Sequence, residues 1–491
     1  MSIGRHTIYN LVGSIAPIFI SMLTVPAYLH LVGSTRYGIL ALVWTFLGYF
    51  GMFDPGIGRA VSYYMARLHN SPAKDREDLF WTAIVINVGF GLAGGIVLYL
   101  VARPLFVSAF KLPDEMRCEA VASLPWLAAS IPVSVMGGVL GGVLQSREWF
   151  AVSNALGIVN SVLSQVVPLA VAYVYGPDLT LLIPAVLVTR TAGVVPTFIA
   201  AAKAVPLGSG GNFNPALLKI LFSYGGWIAI NNMLIPLLTS TDRMLIGSML
   251  NVDAVAFYSV SFGVVGKVWV VPTAFINSLF PKLSRESQED SRRLASAAVI
   301  ELAAVMTPLI VFGIIAAPMF MSLWVGGHFA AHAAPISAIL LVGMWFTCLA
   351  VIPYGHLQAR NQPDILTKLH LAEVVPFLAA LWMGLHFFGL IGAAWATTLR
   401  MIIEAVLTFA VGRRFRDCRH LLPGAALVLA APFCAPSGIS SPMICVASIL
   451  IAASLLWSWC VAPFLRGAIV SGTTRMWRRI LTSWENYNSA P

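Results

Sequence analysis

The chain has 491 residues, of which 58% are apolar and only 10% are charged. A soluble globular chain carries about 25% charged residues, so this composition leaves too little polar surface to face water and indicates a protein surrounded by lipid. The 30 Lys and Arg exceed the 20 Asp and Glu and give a net charge of +10. This excess does not by itself indicate nucleic-acid binding, because its meaning depends on where the charges lie along the chain.

Apolar runs long enough to cross a bilayer, which takes roughly 20 residues, recur along the whole chain. We interpret the first run, which follows Arg5, as an uncleaved span rather than a signal peptide, because it is long and leads directly into the next run. The sequence thus predicts an all-α membrane protein with about fourteen transmembrane helices. In chain order they are Ile8–Val32, Tyr37–Phe53, Phe80–Ala102, Val121–Leu144, Phe150–Tyr175, Thr180–Ala202, Leu218–Leu250, Val252–Phe280, Leu294–Leu323, Ala334–Ile352, Leu369–Phe388, Leu390–Gly412, Leu421–Pro436 and Pro442–Phe464.

The basic residues are distributed as the positive-inside rule requires for this count of spans. With both termini in the cytoplasm, the cytoplasmic segments hold 22 Lys and Arg and the outer loops hold four. The positive charge therefore meets the anionic headgroups of the inner leaflet, and nucleic acid is not an expected partner.

Short motifs recur in order between the two halves of the chain. These motifs indicate an internal repeat of six helices. Because six is an even number, both copies have the same orientation in the membrane. We predict two six-helix lobes at 1–204 and 218–412, a cytoplasmic linker at 205–217, two additional helices at 413–465 and a basic cytoplasmic tail at 466–491. The matching motifs are Pro104–Ser108 with Pro318–Ser322, Leu144–Arg147 with Leu357–Arg360, Val167-Pro168 with Val375-Pro376, and Arg190 with Arg400, at intervals of 214, 213, 208 and 210 residues.

Nothing in the sequence indicates an enzyme or a metal site. The six cysteines show no C-x-x-C spacing, and the chain lacks a Walker A loop, a G-x-S-x-G elbow, an H-E-x-x-H motif and a dinucleotide fingerprint. Only Cys434 and Cys445 flank one short loop, where the sequence is compatible either with a disulfide or with two free thiols. We predict no cofactor.

Ionisable residues inside spans are functional candidates, because a charge in hydrocarbon costs several kcal/mol. Lys267 lies in mid-span and is predicted to attract an anion, with a lysine that snorkels to the headgroups as the alternative. Arg190 has no carboxylate one turn away in its own helix, so it needs an anion or a partner on another helix. Asp242 and Arg243 are adjacent, and since neighbours in sequence diverge on a helix, each is expected to find its partner elsewhere.

Two further groups of charges have structural alternatives. Arg400 and Glu404 are one turn apart and are predicted to neutralise each other. Glu301 is an isolated carboxylate in the inner part of its span and is a candidate proton carrier, with a hydrogen bond to a neighbouring helix as the alternative. Glu373 lies near the inner end of its helix, where an interfacial position suffices to explain it.

Proline and glycine break the predicted helices at several points. After the second span, Asp54 and Arg59 flank a Pro-Gly sequence whose free backbone groups need partners in a membrane. Such interrupted helices point to the transport pathway in repeat transporters, although prolines are also common in membrane helices generally. The predicted helix breaks are Pro17, Pro26, Pro55, Gly56, Pro236 and Pro272.

Seven short segments of the chain form a recognisable set: Tyr9–Gly13, Val25-Pro26, Tyr37-Gly38, Phe53–Ala60, Asp242–Gly247, Phe257–Val260 and Leu279–Leu283. Together they resemble the Wzx-type oligosaccharide flippases, the polysaccharide-transport branch of the multidrug/oligosaccharidyl-lipid/polysaccharide (MOP) exporter superfamily. The resemblance implies a V of two lobes around a cationic cavity, and flipping of an undecaprenyl-pyrophosphate-linked oligosaccharide across the bacterial inner membrane for O-antigen or exopolysaccharide assembly. It also implies coupling to an H⁺ or Na⁺ gradient or to the membrane potential.

Combined with this resemblance, the residues inside the spans become a set of site predictions. The expected partners are the lipid-linked oligosaccharide, membrane lipids and polysaccharide polymerase or assembly proteins. A drug/cation antiporter, a lipid II flippase of the same fold and a non-transporting scaffold of a synthase complex are alternatives. The candidate cavity cations are Lys267, Arg190, Arg59 and Arg243, and the candidate coupling acids are Glu301, Asp54 and Asp242.

Overall fold

The computed structural model describes residues 3–49, 56–68, 71–205, 211–360, 363–412, 415–434 and 441–462. Within these ranges the secondary structure is helical, and no strand is found there. The predicted site residues Asp54 and Pro55 lie outside the described residues, as does the tail at 466–491.

Fifteen α-helices make up the described chain, joined in places by one-turn segments of π- or 3-10 helix. The π turn is Leu105–Ala109 and the 3-10 turns are Lys267–Trp269 and Ala431–Cys434. The helices are α1 (Ile3–Gly48), α2 (Ile57–Arg67), α3 (Ala73–Pro104), α4 (Asp114–Ser146), α5 (Phe150–Tyr175), α6 (Leu179–Ala192), α7 (Val194–Ala204), α8 (Ala216–Met249), α9 (Val252–Gly266), α10 (Val270–Arg285), α11 (Gln288–Val325), α12 (Gly327–Ala359), α13 (Pro363–Val411), α14 (Phe415–Ala430) and α15 (Ser441–Val461).

Two of these helices each contain two of the predicted spans. The break in α1 is at Gly33, with φ 81°, and the break in α13 is at Gly389, with φ 58°. When both helices are divided at their glycines, the helical segments of the described chain are roughly consistent with the predicted fourteen spans. Nine helical stretches of the described chain are long and apolar enough to cross a membrane, and two shorter apolar helices follow near the C-terminus.

Three of the prolines predicted to break helices lie inside continuous helices, whereas Pro272 lies in the first turn of α10, directly after the 3-10 turn at Lys267–Trp269. Helix α1 continues through Pro17 and Pro26, and α8 continues through Pro236. A proline removes one backbone hydrogen bond but its fixed φ suits a helix, and in lipid the remaining backbone groups have no alternative partner. Glycine is different, because it adopts a positive φ without steric cost, as Gly33 does.

The described chain forms two compact units, Met1–Val260 with His370–Ala393, and Ser261–Leu369 with Ala394–Pro491. In the first unit, Gly58 on α2 and Gly142 on α4 let the two backbones meet, since a Cβ on either glycine would overlap main-chain atoms of the other helix. In the second unit, α14 approaches α11 and α15 at Gly424, where a Cβ would crowd Thr307 and Trp457. The division into lobes at 1–204 and 218–412 stays a prediction.

The described part of the linker, 211–214, is anchored on the first turns of α3. Glu77 Oε2 accepts a hydrogen bond from the Gly211 N–H at 2.8 Å, and Asp78 Oδ1 accepts one from the Asn212 N–H at 2.7 Å. The Thr82 hydroxyl accepts a third from the Asn214 N–H at 2.9 Å. Gly211 is required at this point, because a Cβ there would overlap the side chain of Glu77. The linker is therefore held by side chains of the first repeat.

Candidate functional site

Arg190 is a cation deep in the apolar stretch Leu179–Ala204. It lies 11 residues from one end of this stretch and 14 from the other, or about 17 Å and 21 Å along a helix. These distances exceed half the roughly 30 Å hydrocarbon thickness, so the side chain cannot easily reach either headgroup layer. Its side chain is exposed, and among the described residues it has no hydrogen-bond or ion-pair partner. This guanidinium is available to an anion.

Lys267 is a mid-span cation in the second unit, at a position unrelated to Arg190 by the repeat. It begins the 3-10 turn Lys267–Trp269, which separates α9 from α10 in the middle of the stretch Val252–Phe280. The ends of that stretch are 15 and 13 residues away, or about 22 Å and 20 Å, which disfavours the snorkelling alternative. A 3-10 turn inside a helix is common at functional hinges. The half-buried ammonium has no ion-pair partner among the described residues.

Asp242 and Arg243 interact with each other, contrary to the expectation that each needs a partner elsewhere. The guanidinium folds back along α8, so that Nη1 lies 3.3 Å from Asp242 Oδ1 and donates to the Thr239 carbonyl at 2.8 Å. The carboxylate is 1% exposed, and its Oδ2 has no hydrogen-bond partner in the described part of the chain. One oxygen of a buried carboxylate thus remains available for a proton or a cation.

Aromatic side chains surround this pair. The Arg243 guanidinium carbon lies 6.0 Å from the centre of the Tyr258 ring, within the range of cation–π attraction. Tyr49 shares a 2.7 Å hydrogen bond with Thr241, one residue before Asp242. The pair on α8 therefore lies near Tyr49, just after α1, and Tyr258 on α9, and these residues all belong to the first unit.

The remaining predicted acids and cations are placed as follows. Arg400 Nη1 lies 2.9 Å from Glu404 Oε2, so the ion pair predicted from the spacing is present, with both side chains largely buried. Glu301 is 8% exposed on α11 and already has an interaction there. Arg59 lies on the exposed face of α2. Gly56 precedes this helix in the left-handed conformation, with φ 75°, which agrees with the predicted break.

No group of three or more potential metal ligands is found in the described residues. Cys434 and Cys445 are both free thiols, so the disulfide alternative is not realised.

Two features were missed by the sequence reasoning. Asp253 Oδ1, at the start of α9, accepts hydrogen bonds from the Ser34 and Thr35 hydroxyls at 2.6 Å and 3.0 Å, directly after the Gly33 break. The second is a row of amide and hydroxyl side chains on α5. Its signal is present in the sequence, because these residues recur with the helical period between 153 and 165.

Comparison with known proteins gives one strong family match and one full-length relative. The model of the family described as "Polysaccharide biosynthesis protein" matches residues 30–334. A Shigella flexneri protein named "Putative O-antigen transporter" is 26% identical over 408 residues, which cover 83% of this chain and 97% of that protein. The chain is thus similar along most of its length to a protein named as a transporter.

Solved structures share the fold at low sequence identity. The lipid II flippase MurJ, in an inward closed conformation, aligns with a TM-score of 0.70 at 12% identity and covers 95% of this chain and 99% of its own. An inward-facing multidrug resistance MATE family transporter of the MOP superfamily aligns with a TM-score of 0.62 at 14% identity, with 85% and 96% covered. The fold is that of MOP-superfamily transporters, and these relatives are transporters and a flippase rather than enzymes. This chain is a multi-pass membrane transporter that belongs to the polysaccharide biosynthesis protein family.

Proposed function

We propose that this protein flips an undecaprenyl-pyrophosphate-linked oligosaccharide from the cytoplasmic to the periplasmic leaflet of a bacterial inner membrane, by alternating access and with both termini in the cytoplasm. Three findings support the proposal: the family match, the O-antigen transporter name of the relative and the MOP fold. Polysaccharide polymerase or assembly proteins are the expected partners, because they use the translocated unit.

The observation that carries the proposal is the pair of unneutralised cations in mid-span, Arg190 and Lys267. A charge in hydrocarbon is costly unless it has a partner, and neither side chain has an ion-pair partner among the described residues. The diphosphate that links lipid to sugar is negatively charged. It must pass the middle of the membrane during flipping, at the depth of these two cations. A cationic drug would be repelled at the same positions, so this observation disfavours the drug antiporter.

The test of this function is a leaflet assay in proteoliposomes, in which dithionite quenches a fluorescent undecaprenyl-pyrophosphate oligosaccharide on the outer surface only. We expect the wild-type protein to expose the lipid of the inner leaflet to the reagent. The double variant Arg190→Ala/Lys267→Ala should flip about 10- to 100-fold more slowly, because each charged hydrogen bond contributes about 1.5–3 kcal/mol.

The matched control is Arg103→Ala/Arg292→Ala, which removes two exposed cations from the ends of spans and should flip at the wild-type rate. Full activity of the Arg190/Lys267 variant would remove the site hypothesis. Wild-type protein that flips lipid II but not the oligosaccharide lipid would instead identify the lipid II alternative.

Coupling to an ion gradient is proposed at Asp242. Its carboxylate is buried, and Oδ2 has no hydrogen-bond partner in the described part of the chain, whereas Glu301 already has an interaction. A proton or Na⁺ at Oδ2 would change the charge of the pair with Arg243.

We therefore expect Asp242→Asn to lose the increase in flipping that an imposed H⁺ or Na⁺ gradient produces, because a neutral amide does not take up a proton and lacks the negative charge that attracts Na⁺. The measurement compares flipping rates with and without the gradient, and Glu301→Gln serves as the comparison variant. An undiminished response of Asp242→Asn would exclude this residue as the coupling acid.

A further inference from the structure

Helix α5 has two faces of opposite chemistry inside the membrane. Large apolar side chains on one face are exposed, with Val159 54% and Leu163 44% accessible. The polar residues lie on the opposite half of the helix, because each residue advances by about 100°. They are Ser153, Asn154, Asn160, Ser161, Ser164 and Gln165, and all are half-buried. We call this row the α5 polar face.

Helix α1 borders one side of the α5 polar face. The Thr24 hydroxyl donates to Gln165 Oε1 at 2.8 Å, and the Tyr28 hydroxyl donates to the main-chain oxygen of Gln165 at 2.8 Å. Both α1 side chains are buried, at 6% and 1% exposure. Pro168 lacks an N–H, so the Ser164 carbonyl loses its usual donor within the helix. This end of the face is a network of neutral donors and acceptors.

An aromatic cluster continues this network. The ring of Tyr28 lies 6.3 Å from that of Tyr37 and 6.1 Å from that of Trp44, and the last two are 5.7 Å apart. Aromatic rings present flat apolar surfaces with one polar tip in Tyr and Trp. Such surfaces complement the C–H faces of sugar rings.

The break between α6 and α7 borders the other side of the α5 polar face. Gly193 lies against Asn160, and a Cβ on this glycine would overlap the side-chain amide. Asn160 Oδ1 is buried, with no hydrogen-bond partner in the described part of the chain, which costs about 1–3 kcal/mol unless a partner arrives. Arg190 lies three residues before Gly193 and so projects from the same side of the helix.

We infer that the α5 polar face is a binding track for the uncharged, hydroxyl-rich saccharide of the cargo, with Asn160 as its central contact. From Asn154 to Gln165 the face extends for 11 residues, about 16 Å, which accommodates several sugar units. Amides and hydroxyls donate and accept alike and therefore match sugar hydroxyls. Arg190 stands beside the track, where the diphosphate that carries the sugar would follow. The inference rests on the proposed function.

The first test measures whether water reaches the track. Ser164→Cys and, on the opposite face, Leu163→Cys are made in a cysteine-free background and reconstituted. We expect a charged, water-soluble thiol reagent to modify the cysteine at 164 and to leave the one at 163 unmodified, and the oligosaccharide lipid to slow the reaction at 164. Equal reactivity at both positions, or a cysteine at 164 that never reacts, would show a face buried in packing and overturn the inference.

The second test separates the saccharide track from the diphosphate site. Flipping is measured for two lipids with the same diphosphate, one bearing the oligosaccharide and one a single sugar. We expect Asn160→Ala/Ser161→Ala to lower the ratio of the oligosaccharide rate to the single-sugar rate about tenfold, the equivalent of one or two neutral hydrogen bonds. The lipid-facing pair Val159→Ala/Leu163→Ala should keep the wild-type ratio.

The outcomes distinguish the two proposals. A wild-type protein that flips neither lipid would refute the proposed function. A wild-type protein that flips both, together with an Asn160/Ser161 variant whose ratio is unchanged, would refute the saccharide track alone. Folding of each variant is checked by its elution as a monodisperse species in detergent.

Discussion

At the scale of single residues, Arg190 and Arg400 occupy matching positions of the predicted repeat but differ in whether a carboxylate lies one turn away. Arg400 finds Glu404 one turn away at 2.9 Å, while the residue one turn after Arg190 is Val194. The same position of the repeat thus holds an ion pair in the second half and, in the first, a cation without an ion-pair partner among the residues that the structure describes. This contrast was readable from the sequence, because helical spacing alone determines which side chains meet.

The Arg400–Glu404 pair supports a prediction about stability. Arg400→Ala leaves the largely buried Glu404 carboxylate without its counterion, and breaking a buried pair costs about 3 kcal/mol or more. We expect Arg400→Ala to unfold at a lower temperature in detergent than the double variant Arg400→Ala/Glu404→Ala, because the double variant buries no lone charge. Equal unfolding temperatures for the single and double variants would contradict the pairing.

Other residue contacts were beyond sequence reasoning. The spacing of Asp242 and Arg243 predicts divergent side chains, yet the arginine is long enough to fold back to the Thr239 carbonyl and meet Asp242 on the way. A rotamer of this kind depends on the surrounding helices. The same holds for Asn160, whose place beside Gly193 comes from the packing of α5 against the break between α6 and α7.

At the scale of elements, glycine marks the true break in α1, and proline does not. The kink at Gly33 is followed at once by the two hydroxyls that bind Asp253. Next along α1, Gly38 touches the main chain of Val252, where a Cβ would overlap the carbonyl. The start of α9 therefore docks on the second segment of α1. Sequence patterns predicted both spans but not this contact, because the partners of its two hydrogen bonds are 219 and 218 residues apart.

Asp253 provides a prediction at this scale. Asp253→Ala removes the acceptor of two hydrogen bonds, each worth about 1.5–3 kcal/mol when one partner is charged, so we expect a clear fall in unfolding temperature. Asp253→Asn keeps an oxygen that can accept these hydrogen bonds, so its unfolding temperature should fall less. The control is Asp114→Ala, whose ion pair with Arg117 is exposed and contributes little. Comparable losses in Asp253→Ala and Asp114→Ala would argue against the contact.

At the scale of the whole molecule, the repeat seen in the sequence reappears in the helix boundaries. Helices α4 and α12 both contain 33 residues, and each is followed directly by an arginine of the repeated motif, Arg147 or Arg360. Gly176 ends α5 with φ 92°, and Gly389 breaks α13 with φ 58°, at the same interval of 213 residues. The fold class was predictable for two reasons. The backbone of a membrane-spanning segment must form its hydrogen bonds within the protein, which favours helices. The length of each apolar run in the sequence also shows whether it can cross the bilayer.

Membrane orientation gives the prediction for the whole chain. In a cysteine-free background we expect a membrane-impermeant thiol reagent to label a restored Cys118 in intact spheroplasts. Arg67→Cys and Arg292→Cys should react only after the membrane is opened, because six predicted spans lie between them, and an even number leaves both positions on the cytoplasmic side. All three positions are exposed. Labelling of positions 67 and 292 from opposite sides would show an odd number of spans between them and rule out like-oriented repeats.

The attachment of residues 211–214 to α3 has a consequence for how the linker is positioned. Three main-chain N–H groups there donate to Glu77, Asp78 and Thr82, so this part of the linker binds α3 through its own backbone. We therefore expect a chain cleaved between residues 205 and 211 to yield two fragments that stay associated in detergent through this contact.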